Sequence, residues 1–121
     1  MPELPEIETV KLQLEKVLVG QSCKGIKILG DKVIKGKIDE IIGRKVQRVE
    51  RKGKVLIINF GEKLDLGFHF KMTGQLVYDD GKKRVVGGHP TEDYWNKMPS
   101  KHTRAIFEFD RGTLYFNDQR M

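Results

Sequence analysis

The spacing of apolar residues changes once along this chain of 121 residues, and that change constrains the fold more than anything else in it. Ile7, Val10, Leu14, Val17 and Leu18 recur at the spacing of one helix face, with Thr9, Lys11, Gln13 and Glu15 on the other side. The spacing predicts a helix over 5–19. Gly20 then supplies the stop, since glycine readily adopts the left-handed conformation that ends a helix. After Gly20 the period is two. Residues 23–28, 45–50 and 55–60 read as strands, the last apolar enough to be central. Further strands are expected over 64–70, 74–78, 104–109 and 113–117. Lys52-Gly53-Lys54, Asp79-Asp80-Gly81 and Asp110-Arg111-Gly112 are the turns. Residues 82–101, with Gly87-Gly88, Pro90, Trp95 and Pro99, read as a long loop. The expected fold is α+β and mainly β: an N-terminal helix packed on a two-layered antiparallel β-sandwich, or flattened barrel, of about eight strands.

A chain of this length forms one domain with a modest core. It has no apolar run long enough to span a membrane and no secretory signal, so it reads as soluble and cytoplasmic. Its single cysteine, Cys23, excludes an internal disulfide. Cys23, His69, His89 and His102 are too scattered to suggest a zinc site. Lys and Arg number 23 against 17 Asp and Glu, a formal net charge of +6. That balance suits a nucleic-acid binder, although many solvated basic domains share it.

The first eight residues, Met1-Pro2-Glu3-Leu4-Pro5-Glu6-Ile7-Glu8, carry the most chemistry. Removal of Met1 makes Pro2 a secondary amine. An α-amine has a reference pKa of about 7.7–8.0, so part of it is neutral and nucleophilic at physiological pH. Glu3 and Glu6 flank it as acid/base groups. The same residues also make an ordinary helix opening, with proline suited to the first turn and carboxylates to the positive end of the helix dipole. On residue chemistry alone the structural account is the stronger.

The octapeptide as a whole resembles the N-terminus of the formamidopyrimidine-DNA glycosylase family, bifunctional base-excision repair enzymes whose nucleophile is this proline amine. Three later segments extend the resemblance. Arg51-Lys52-Gly53-Lys54 before an apolar strand resembles the family motif whose last lysine reaches the DNA around the damaged nucleotide, here Lys54. His69-Phe70-Lys71-Met72-Thr73-Gly74 resembles the family's His-Leu-Gly-Met-Ser/Thr-Gly motif, with Phe70 and Lys71 in place of leucine and glycine. The methionine there fills the space left when the damaged nucleotide is extruded, a role that falls to Met72. Tyr115-Phe116-Asn117-Asp118-Gln119-Arg120-Met121 resembles the aromatic-x-Asp-Pro-Arg-Arg-Phe-Gly stretch. Arg120 then matches the arginine inserted opposite the orphaned base. By residue pattern alone, Lys54 is a solvated turn lysine, Met72 a core residue and Arg120 a terminal charge.

The resemblance implies a catalytic set of Pro2, Glu3, Glu6 and Lys54, with His69, Met72 and Arg120 on the DNA. Glu3 would protonate the sugar ring oxygen, and Glu6 would organise water and the amine. The implied partner is double-stranded DNA containing oxidised bases, bound by a monomer, with no membrane and no metal or cofactor in this chain. The match covers less than half of the family's usual length, so the chain is expected to be the N-terminal catalytic domain. The family's helix–two-turn–helix module and C-terminal zinc finger, expected of a full-length protein, are absent from it. Leu4 favours the branch acting on 8-oxoguanine and formamidopyrimidines over the endonuclease VIII branch, which usually has glycine there. A non-catalytic basic DNA-binding β-domain and an inactive relative kept as an interaction module remain the alternatives.

Overall fold

The computed structural model describes residues 4–29, 38–53, 55–61, 64–69, 74–88 and 103–118. Among the described residues one α-helix, α1 (Leu4–Leu18), comes first and eight strands follow: β1 (Cys23–Ile28), β2 (Arg48–Lys52), β3 (Val55–Asn59), β4 (Asp65–His69), β5 (Gly74–Asp79), β6 (Arg84–Gly88), β7 (Thr103–Phe109) and β8 (Thr113–Asp118). They form two antiparallel sheets, ordered β1-β7-β8-β5-β6 and β2-β3-β4. The fold is therefore mainly β, with one helix on a two-layered sandwich, as the change of period requires.

The helix buries Ile7, Val10, Leu14 and Leu18, and Gly20 ends it at φ 92°. The two sheets meet through Leu56, Ile58, Leu66 and Phe68 on one side and Leu76, Ala105, Phe107, Leu114 and Phe116 on the other. Phe68 stands edge-on to Phe107, with ring centroids 5.7 Å apart, and lies 5.5 Å from Phe116. Strand β3 is central in its sheet, as its apolar run predicts.

Two expectations need correction. A strand over 45–50 is displaced to Arg48–Lys52, because Lys45 and Val46 pair elsewhere. Lys45 bridges Ser22, and Val46 exchanges backbone bonds with Gly20 and Gln21 at 3.0 and 2.9 Å. The expected loop over 82–101 contains β6, whose Gly87-Gly88 pair reads as a loop in sequence. Gly87 is there because α1 comes so close: a Cβ on it would lie 2.1 Å from Val10 Cγ2. The rest of that stretch, from 89 onward, lies outside the described residues. A short 3-10 helix, Ile38–Ile41, was not anticipated.

The Val10–Gly87 contact gives a direct test. Gly87→Ala is expected to destabilise the domain by about 1–3 kcal/mol, the usual range for overpacking a close-packed contact. Adding Val10→Ala should recover part of that loss in chemical denaturation. Full wild-type stability of the single variant would contradict the close approach.

Candidate active site

The chain segments of interest all depart from one end of the sandwich. The β2–β3 connection lies between Lys52 and Val55, which pair directly, and Val55 also pairs with His69, the last residue of β4. Five residues later, Gly74 opens β5 opposite Asp118, the last residue of β8. Gln75 is paired with Gly88 at the end of β6, and Asn117 with Thr103 at the start of β7. The helix points its N-terminus to the same end: Val10 packs at Gly87, whereas Gly20 and Gln21 bond Val46, which precedes the opposite end of β2.

A charged link fixes the helix to the β2–β3 connection there. Arg51 Nε donates to Glu8 Oε1 at 2.8 Å, and Arg51 Nη1 donates to the Gly53 carbonyl at 3.1 Å. Lys11 Nζ adds a longer contact to Glu8 at 3.8 Å. The Arg51 hydrogen bond, with the Lys11 charge behind it, holds the Glu8 carboxyl below its ordinary value.

Pro2, Glu3, Lys54, Met72 and Arg120 lie outside the described residues. Glu6 and His69 belong to α1 and β4, but their side chains lie outside the description as well. The structure therefore supplies the frame around these positions: the helix start behind Pro2 and Glu3, Gly53 and Val55 on either side of Lys54, His69 and Gly74 on either side of Met72, and Asp118 before Arg120.

Other chemistry among the described residues is weak. Cys23 is fully buried, and burial pushes its thiol up to about 11, so it is no nucleophile at neutral pH. No group of three or more His, Cys, Asp or Glu suited to a metal occurs among the described residues. No described helix is long and apolar enough to cross a membrane.

A family model described as the formamidopyrimidine-DNA glycosylase N-terminal domain matches residues 1–121. The chain belongs to the formamidopyrimidine-DNA glycosylase family. The formamidopyrimidine-DNA glycosylase of Pelotomaculum thermopropionicum is 38% identical over 126 residues, covering 99% of this chain and 41% of that protein. That of Ligilactobacillus salivarius is 32% identical over 125 residues, covering 99% of this chain and 40% of its own length. Among solved structures, the complex of Lactococcus lactis Fpg with Fapy-dG-containing DNA matches at TM-score 0.76 and 29% identity, covering 98% of this chain and 41% of that one. The same protein with abasic-site-containing DNA matches at TM-score 0.76 and 30% identity, covering 98% and 40%. The chain thus spans less than half the length of these curated relatives.

Within this family frame, sequence reading missed the polar residues that brace the strand ends. Gln75, Thr103 and Asn117 are buried and joined by hydrogen bonds. Nothing in their spacing marks them, because a polar residue on an alternating strand reads as solvent-facing.

The Arg51 link predicts a pH response with a definite sign. A depressed folded-state pKa means the link contributes above the unfolded carboxylate range and is lost as pH falls through the Glu8 value. The Arg51 Nε–H proton should be visible by NMR near neutral pH and broaden on acidification. Glu8→Gln should remove it at every pH. A signal indifferent to both would disprove the link.

Proposed function

We propose that this chain is the catalytic N-terminal domain of a bifunctional DNA glycosylase and AP lyase that removes oxidised purines from duplex DNA. The observation that carries this reading is the convergence at one end of the sandwich. The start of α1, the ends of β2, β4 and β8 and the start of β5 lie there, and each adjoins a residue that the family resemblance singles out.

On this reading Pro2, freed of Met1, attacks C1′ of the damaged nucleoside. The nitrogen–C1′ bond forms, the glycosidic bond breaks, and the electron pair leaves with the base. The amine gives up its proton, Glu3 protonates the sugar ring oxygen, and the ring opens to an iminium. Elimination at the sugar then breaks the strand. Glu6 organises water and the amine, and Lys54 and His69 hold the DNA around the lesion. Met72 fills the vacated space, and Arg120 bonds the orphaned base. The domain works as a monomer on cytoplasmic DNA. Leu4 is the basis for assigning purine lesions.

Borohydride trapping on duplex DNA containing 8-oxoguanine tests the chemistry. Protein lacking Met1, verified by intact mass, should form a covalent adduct that Pro2→Gly weakens. Glu3→Gln should slow trapping by about 10²-fold, the lower range for loss of an acid/base group. DNA binding without any adduct would leave only the non-enzymatic alternatives.

Affinity has its own expectation. The 121-residue chain by itself, which spans less than half the length of its relatives, should bind duplex weakly and turn over little. Log affinity should fall linearly with log salt, with a slope of about −0.9 per phosphate contacted. Turnover matching a full-length relative would overturn that expectation.

A further inference from the structure

A buried line of polar side chains lies one rung inside the proposed catalytic end. The Thr103 hydroxyl donates to Asn117 Oδ1 at 2.7 Å, and Asn117 Nδ2 donates to Gln75 Oε1 at 2.7 Å. The three residues are 3%, 2% and 2% exposed. They are cross-strand neighbours, with Asn117 opposite both Gln75 and Thr103. Gln75 and Asn117 alternate with Leu76 and Phe116, which point into the core, so they occupy the other face of the five-stranded sheet, and Thr103 joins them there through its hydrogen bond to Asn117. The pairing of β7 with β8 shifts register between Thr103 and Ala105, an irregularity of the kind found where a strand end must be re-aimed.

Stability does not explain this arrangement. Apolar residues of the same shape would brace three strands about as well, whereas a buried polar group tolerates no lost partner. Its place in the chain does explain it. Gln75 follows the connection that carries Met72, and Asn117 comes three residues before Arg120. We propose that Thr103, Asn117 and Gln75 are positioning residues: they lock the rung from which residues 70–73 and 119–121 leave, so that Met72 and Arg120 enter the duplex as one unit. This rests on the repair reading above. Amide-to-amide pairing has a direction that apolar packing lacks, so it resists sliding of one strand end along another when unstacked bases push back. A wedge and an arginine that must act on the same vacated position need that fixed separation.

The test uses a duplex with a tetrahydrofuran residue and a neighbouring 2-aminopurine, whose fluorescence rises when the stack opens. The apolar triple variant Thr103→Val, Asn117→Leu, Gln75→Leu removes both of these hydrogen bonds together. It is expected to fold and to bind undamaged duplex with wild-type affinity and salt dependence. Its lesion-dependent fluorescence rise should fall by about ten-fold, within the range for a small misplacement of acting groups. Should the triple variant not fold, Thr103→Val read against Thr103→Ser decides: loss in the first and retention in the second is expected. An undiminished rise in the triple variant, or equal signals from the two single variants, overturns the proposal. If the wild-type chain binds DNA without any lesion-dependent rise, the repair reading itself fails at base extrusion and takes this inference with it. The two failures are therefore distinct.

Discussion

The contact between Val10 and Gly87 governs the placement of everything else. Helix α1 comes so near β6 that no Cβ fits at residue 87. The same helix reaches the other sheet through Glu8 and Arg51, so it closes the gap between the edge strands β6 and β2. Length then matters. Fifteen helical residues rise about 22 Å, close to the span of strands of five to seven residues at about 3.3 Å each. The helix therefore runs the height of the sandwich. With its C-terminus held at one end, its N-terminus is delivered to the other.

The far end is built as an anchor. Gln21 is fully buried; its Nε2 donates to the Val17 carbonyl at 2.6 Å and to the Tyr78 hydroxyl at 3.0 Å, while its Oε1 accepts from the Arg111 amide at 2.7 Å. One amide thus ties the end of α1 to β5 and to the β7–β8 turn. Asp110 strengthens the same corner by accepting from the Ser22 amide at 2.6 Å, which holds its carboxyl below the usual aspartate range. Among the described residues every buried side-chain polar atom has a partner. An anchor of this kind lets the opposite end present loops without loosening the core, a division of labour common where rigid scaffolds position acting groups.

How much of this was legible follows from what leaves a trace in spacing. Ile7, Val10, Leu14 and Leu18 announce the helix, and alternation announces β1, β3, β5, β7 and β8 to within a residue or two. Strand β6 was hidden because Gly87 answers to a helix distant in sequence, and close approach of two elements has no period. The shift of β2 has a similar cause: Lys45 and Val46 are claimed by Ser22, Gly20 and Gln21. The candidate site was legible only through whole motifs. By residue chemistry Pro2 was a helix start, Lys54 a turn and Met72 a core residue. Gln75, Thr103 and Asn117 were invisible, since burial of a polar strand residue depends on what covers the sheet.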